Sequence, residues 1–290
     1  MKFAVFTVST PTMTPDEIAP KLKELGYDGI EWRVVDEEPN APGMGFWHGN
    51  KATIPFTGFV ENAPNVRKLA EDNGLDMPAL GTYVLASELD DVETAMRGAV
   101  AMGVKRLRVN VARYDGSEAF KPLWEKDREQ YKRVAELAGK HGVQALIELH
   151  HGSICPSASA ARLYLEGFDP AQVGVIHDAG NMVYEGFENY RLGLETLGDY
   201  LSHVHVKNAR WFPQKYREDK SVIWMCNAAA IHKGIADMRE LFTALKAVGY
   251  DDWVTVEDFS TERPLADRLQ ENLALLKAVE AEVANPPEAS

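Results

Sequence analysis

The chain has 290 residues, 45% of them hydrophobic and 26% charged, the mixture of an ordinary globular protein with a large core. Its net charge of −13 repels phosphate backbones and anionic lipid, which sets aside nucleic acid and membrane surfaces as partners. No apolar run approaches the ~18 residues of a membrane span, Met1 to Pro11 lacks the length and cleavage pattern of a secretion signal, and Cys155 and Cys226 form neither a disulfide framework nor a metal-ligand spacing, so a reduced, cytoplasmic setting is expected.

In chain order, a short apolar strand at Phe3–Phe6 precedes Thr14-Pro15-Asp16-Glu17, which has the cap hydroxyl, early proline and acidic first turn of a helix start. One unit then recurs: an amphipathic helical stretch ends at a glycine and an apolar run follows at once. It appears as LKELGYDGIEW, LAEDNGLDMPAL, AVAMGVKRLRV, LAGKHGVQALIE and LKAVGYDDWVTVE, with Gly26, Gly74, Gly103, Gly142 and Gly249 where a left-handed helix cap is needed. The further strands are predicted at Ile30–Val34, Met77–Tyr83, Arg106–Val111, Ala145–Leu149, Val173–His177, Leu201–Val206 and Trp253–Glu257. The longest helix is predicted from about Pro122 to Lys140 and the last from about Pro264 to Val283. Eight strands alternating with helices predict a single-domain α/β fold, a (β/α)8 TIM barrel over residues 1–284, with a disordered tail at 285–290. A doubly wound open sheet is the competing architecture; it would place a glycine-rich turn after the first strand, where Thr7 to Thr14 contains no glycine. Two long connections, Asp36 to Gly58 and Lys207 to Gly234, are predicted as loops on the C-terminal, active face.

The last four strands each end in polar residues: Glu148-Leu-His150-His151, His177-Asp178, His203-Val-His205-Val-Lys207 and Glu257-Asp258. Inward parity lets Glu148, Asp178, His205 and Glu257 converge at the barrel mouth, and three carboxylates with one imidazole suit a divalent metal. Each residue has an ordinary alternative. Asp178 can cap the following turn, Glu257 or Asp258 can cap a helix, and of His203 and His205 one is expected to be a ligand and the other a packed, hydrogen-bonded histidine.

These segments, MKFAVFT, GYDGIEWR, IELHHG, IHDAGN, HVHVKN and GYDDWVTVE, resemble in their order and spacing the sugar phosphate isomerase/epimerase superfamily. Its xylose-isomerase-like barrels also include endonuclease IV and inosose dehydratase. The resemblance implies one metal held by Glu148, Asp178, His205 and Glu257, with Glu148 and Glu257 also moving protons. Mn²⁺ or Mg²⁺ is expected ahead of Co²⁺ or Zn²⁺, because three of the four donors are hard oxygens. The implied reaction is isomerisation or epimerisation of a sugar or keto-sugar through an enediolate. The alternative is a lyase acting on a keto-inositol or keto-glycoside by the same first step, and a non-catalytic sugar-binding barrel is a third reading. The sequence departs from the ketose 3-epimerases of the family at Asn181, where they place a histidine, and at Ile154, where they carry a second glutamate. The nuclease branch needs further metal-binding histidines and an Asp-x-His pair, and Ala-Ala-Ile precedes His232 here.

Substrate-binding roles are expected for His150, His151, Arg108, Asn181, Lys207, Arg210 and His232. Arg108 is equally compatible with a buried ion pair in the barrel wall, and the basic run Arg210, Lys215, Arg217 and Lys220 with a solvated loop. Phe46, Trp47, Phe56, Trp211 and Phe212 concentrate apolar surface in the two long loops, which predicts a homo-oligomer whose loops help to close the site.

Overall fold

The computed structural model describes residues 1–37 and 45–285. Eight parallel strands close a barrel: β1 (Lys2–Phe6), β2 (Gly29–Val34), β3 (Leu80–Thr82), β4 (Arg106–Arg108), β5 (Gln144–Glu148), β6 (Val173–Asp178), β7 (Leu201–Val206) and β10 (Trp253–Val256). Neighbours in sequence are neighbours in the barrel, and β10 pairs with both β7 and β1. The remaining strands, β8 (Asn208–Tyr216) and β9 (Val222–Ala229), form an antiparallel ribbon outside the barrel.

Helices α1 (Pro15–Leu25), α2 (Phe59–Asp72), α3 (Leu89–Met102) and α4 (Phe120–His141) cover the first half. The second half carries α5 (Ala158–Tyr164), α6 (Ala179–Tyr184), α7 (Tyr190–Leu197), α8 (Met238–Ala247) and α9 (Leu265–Ala284). The start of α1 is a capping box, in which the Thr14 backbone N–H donates to Glu17 Oε2 at 2.8 Å. Its end is Gly26 at φ 89°, a left-handed geometry that a Cβ would strain. None of the described helices is long and apolar enough to cross a membrane.

Strand parity separates two interiors. Ile147, Val175, Val204 and Val254 point outward into the large core beneath the helices. Ala79, Leu146 and Ile176 form a small separate cluster, and Leu146 and Ile176 share the parity of Glu148 and Asp178. The lumen is therefore apolar lower down and polar at the C-terminal end, the face on which TIM barrels build their sites.

The structure corrects the sequence reading in the lengths of β3 and β4 and in the Lys207 to Gly234 segment. β3 and β4 are shorter than predicted, and a lone bridge between Leu85 and Asn110 continues their pairing. Lys207 to Gly234 is a ribbon rather than a loop, because two runs of alternating side chains pair across the turn near Lys220. Of the Asp36 to Gly58 connection, residues 38–44 lie outside the described residues, while Ile54 bridges back to Val34 and Asn50 Nδ2 donates to Val8 O at 2.9 Å. Of the tail expected at 285–290, residues 286–290 lie outside the described residues, and Asn285 stands at the C-cap of α9.

Candidate active site

Glu148 ends β5, Asp178 ends β6, His205 lies near the end of β7, and Glu257 follows β10 directly. All four are buried, and each offers a ligand atom within 4.8 Å of the others. The register places Asp178 opposite His205 and holds His205 beside Thr255. Asp178 does both things its position allowed. Its Oδ1 accepts from the Asn181 backbone N–H at 2.8 Å, capping α6, while Oδ2 faces the cluster. The chain passes closely here: a Cβ on Gly180 would lie 2.2 Å from Lys207 Cγ, so only glycine lets α6 start against β7.

His205 is oriented from below by a residue the sequence reading missed. Glu31, fully buried on β2, places both carboxylate oxygens 3.2 Å from His205 Nε2 and Oε2 2.9 Å from His203 Nε2. The opposite edge of His205, Nδ1, lies 3.5 Å from Glu148 Oε1 and 3.9 Å from Asp178 Oδ2. His203 is the packed histidine of the pair, with its Nε2 also 3.1 Å from Thr255 Oγ1. Burial alone would raise the Glu31 carboxyl, but His205 and His203 outweigh it and hold the group well below the usual carboxylate range. The signal for Glu31 was an acid flanked by Ile30 and Trp32 in a buried strand, two positions before Arg33 on the same inward face.

Two cations complete the electrostatics. Arg108 Nη1 donates to Glu148 Oε2 at 2.5 Å, and Lys207 Nζ sits 2.9 Å from Asp178 Oδ2, 3.8 Å from Glu148 Oε1 and against Glu257. Burial opposes ionisation of Glu148, and Arg108 and Lys207 reverse it, so its pKa is well below the carboxylate range. Asp178 fares differently. Burial pushes it up to about 7, with Glu148 and Glu257 adding to the rise and Lys207 opposing it. For His205, burial favours the neutral ring, but Glu31 and Glu148 raise its pKa well above the ordinary histidine value. This donor set fits one divalent cation: three carboxylates converge, and the buried His205 Nδ1 has no hydrogen-bond partner.

Above the cluster opens a cavity of about 520 Å³, walled in part by Trp47, Tyr83, Tyr184 and Phe259. Of the residues expected to bind substrate, Arg108, His150, His151, Asn181 and Lys207 line it. Arg108 makes the buried ion pair weighed for it, with Glu148, and also lines the cavity. His150 stacks on His151, and His151 on Tyr184, each with ring centroids 4.4 Å apart. Asn181 links this stack to the cluster, with Oδ1 3.1 Å from His151 Nδ1 and Nδ2 donating to Glu148 Oε1 at 3.3 Å. Burial lowers the pKa of His150 to about 4, which leaves its ring neutral at physiological pH.

Arg210 and His232 do not line this cavity. Arg210 pairs with Asn227 on the ribbon face opposite Ala228, which does line it. His232 is exposed beside a separate cavity of about 340 Å³ next to Lys233 and Glu262. Parity on an extended ribbon and the turn that follows it set both positions, and neither was readable while the segment was taken as a loop.

The profile of the xylose isomerase-like TIM barrel family matches residues 19–279. The chain belongs to that family. Among its family relatives, inosose dehydratase of Geobacillus thermodenitrificans (strain NG80-2) is 28% identical over 130 residues, 43% of this chain and 43% of that protein. Inosose dehydratase of Bacillus licheniformis is 26% identical over 169 residues, 57% of this chain and 56% of that protein. The chain thus spans about half the length of the curated relatives it matches. Among solved structures, 3-keto-D-glucoside 4-epimerase from E. coli superposes with a TM-score of 0.72 at 17% identity, covering 96% of this chain and 99% of that one. D-psicose 3-epimerase gives 0.69 at 17% identity, with 97% and 99% covered. A xylose isomerase-like barrel from Mycobacterium smegmatis in complex with magnesium gives 0.65 at 16%, with 97% of each chain covered. These structural likenesses establish the fold.

Proposed function

We propose that the protein is a divalent-metal-dependent enzyme that removes the proton beside the carbonyl of a sugar or keto-sugar, leading to isomerisation or epimerisation. The convergence of Glu148, Asp178, His205 and Glu257 at the floor of a sugar-sized cavity carries this reading. A divalent ion held by these four, Mn²⁺ or Mg²⁺ by the hardness of the oxygens, would polarise the carbonyl and a neighbouring hydroxyl of the substrate.

The protein's own residues then divide the work. Glu257 is the proton acceptor, since among the described residues its carboxylate is ion-paired to the Lys207 ammonium alone and is not clamped by an arginine. Glu148 is clamped by Arg108 and Asn181 and is held ionised, so it serves first as a fixed anion at the cation site; in epimerisation it takes a proton from solvent and passes it to the far face of the enediolate, while Glu257 keeps the proton it removed until it returns it to solvent. Lys207 gives up the carboxylates and turns its ammonium to a substrate oxygen in the cavity it already lines. Neutral His150 accepts a hydrogen bond from a substrate hydroxyl, and Tyr83, Trp47 and Tyr184 offer ring faces to the C–H surface of a sugar. A second reading, dehydration by loss of a β-hydroxyl after the same proton removal, is favoured by the curated relatives, which are inosose dehydratases.

The test is incubation of metal-reconstituted protein in D₂O with ketoses, keto-glycosides and a keto-inositol, followed by ¹H NMR. Deuterium is expected at the carbon beside the carbonyl only when metal is present. An epimer or isomer as product supports the first reading, and an unsaturated product the second. No exchange into any of these substrates would sink both.

Metal affinity is expected to depend on pH. A cation must displace the proton that burial keeps on Asp178 up to about pH 7 and the one that Glu31 and Glu148 keep on His205. Affinity should therefore be greatest above pH 7 and fall as pH drops, by about tenfold per unit for each proton displaced. Calorimetry in buffers of different ionisation heat should register the released protons, and an affinity constant across this range would contradict the assignment.

A further inference from the structure

The main cavity carries more positive charge than the catalytic reading uses. Among the described residues, the charged side chains of its wall are Arg108, Arg113, Lys207, Glu148 and Glu257, with Asp178 in the cluster beneath. Three cations thus meet three carboxylates, inside a chain whose overall charge is −13. The imidazoles of His150 and His151 can only add positive charge to this wall, and a proton on Asp178 can only widen the excess.

The balance ends once the carboxylates hold a divalent cation. Arg108 keeps its partner, because it holds Glu148 through Oε2, while Oε1 is the atom turned toward His205 and Lys207. Lys207 does not. Its Nζ lies 2.9 Å from Asp178 Oδ2 and against Glu257, so it draws on the same carboxylates that would hold the cation. Lys207 is buried, and a buried ammonium that loses its carboxylates needs another partner. The ring of Phe259, 5.4 Å away, attracts it only weakly.

Arg113 is a second cation without a carboxylate. Arg33, Arg106 and Arg108 pair with Glu37, Asp252 and Glu148, whereas Arg113 enters no ion pair among the described residues. Its backbone is nevertheless fastened to the loop after β5: Arg113 bridges to Ser153, and the Tyr114 N–H donates to Gly152 O at 2.9 Å. A Cβ on Gly152 would lie 3.6 Å from Arg113 Nη2, so the guanidinium rests along the chain that follows Glu148 and His150. A planar fork of this kind matches a carboxylate or a phosphate.

We propose that the substrate is an anion, a sugar or keto-sugar bearing a carboxylate or phosphate group, and that Arg113 and the released Lys207 receive its charge. This rests on the divalent-cation reading of the cluster and adds the chemical class of the substrate to it. Arg113 discriminates charged from neutral sugars at the solvent side of the cavity. Lys207 couples that choice to the cation, because its ammonium is free only when the carboxylates are engaged.

Titration calorimetry of the Mn²⁺-loaded protein with matched pairs reads this without turnover: D-glucuronate against D-glucose, and D-fructose 6-phosphate against D-fructose. At least one anion is expected to bind about tenfold or more tightly than its neutral counterpart, the scale of one charge-assisted hydrogen bond. The pair with the larger ratio identifies the group as carboxylate or phosphate. Arg113→Gln should remove most of the preference and leave affinity for the neutral sugar as it was. Lys207→Met should also lose the preference, while binding Mn²⁺ more tightly than the wild type, since no ammonium competes for the carboxylates. Equal affinity within both pairs overturns the proposal, as does a preference that survives Arg113→Gln or weaker Mn²⁺ binding by Lys207→Met. A wild-type protein that takes up neither Mn²⁺ nor Mg²⁺ removes the cation reading and this one together. One that takes up Mn²⁺ and prefers neither anion removes only the substrate class.

Discussion

Glu257→Gln is expected to lower turnover by at least about 10²-fold, the usual range for loss of an acid–base group. Glu257 is fixed in place by its backbone, whose N–H donates to Val206 O at 3.0 Å, so the amide side chain will occupy the same position. It keeps one oxygen for a cation and loses the ability to take a proton. Substrate affinity should change much less, because Arg108, His150 and Lys207 still line the cavity. Glu148→Gln should also lose product formation by about 10²-fold or more, but by another route. With Glu257 intact, solvent deuterium should still enter the substrate carbon while product fails to form. The measurements are product and exchange rates by NMR, with bound metal quantified by elemental analysis. Near-wild-type turnover of metal-loaded Glu257→Gln would move the proton chemistry elsewhere, with His150 the first residue to test.

Glu31→Gln is expected to weaken divalent-metal affinity about 10- to 100-fold, the effect typical of losing a carboxylate that supports a histidine ligand. As an anion Glu31 can only accept, so both imidazoles must turn N–H edges toward it, and His205 is left with Nδ1 aimed at Glu148 and Asp178. A glutamine offers one acceptor and one donor to the same two rings. Whichever ring meets the donor must present a bare nitrogen, and if that ring is His205 its proton moves to Nδ1, where a cation would bind. Titration calorimetry with Mn²⁺ would read the loss directly, and thermal unfolding of the metal-free protein would separate it from a general loss of structure. Wild-type affinity in a folded Glu31→Gln variant would show that His205 needs no such support.

The barrel was legible because its signals are local and repeated. The helix caps at Gly26 and Gly142 and the capping box at Thr14 each lie within a few residues of the element they end or begin. Glu148, Asp178, His205 and Glu257 were legible for a related reason, since each lies at or beside the C-terminal end of a strand, where parity fixes its direction. Glu31 was not, because it lies in mid-strand and its partners His203 and His205 stand more than 170 residues away. Lys207 was read as a substrate contact, and nothing in its spacing announced three carboxylates around its ammonium. The ribbon was misread because its apolar face does not enter the core, so its alternation had no burial to reinforce it. Arg210 and His232 fall outside the lining of the main cavity for the same reason.

The closure of the barrel also sets the order in which the protein can mature. β1 hydrogen-bonds to β10, with Lys2 beside Trp253, so the seam joins segments about 250 residues apart. Contacts of such long range form late, because the intervening chain must already be organised before they compensate its lost freedom. Until that seam forms, both β1 and β7 present open edges, and Glu257, which follows β10, is not yet beside Asp178. A nascent chain folding from its N-terminus can therefore assemble the Glu31 support and three of the four clustered residues, but it acquires the proposed base only with its last strand. The proposed metal binding and proton transfer are thereby tied to the addition of β10, and a chain interrupted before Trp253 is left with two adhesive edges and no Glu257.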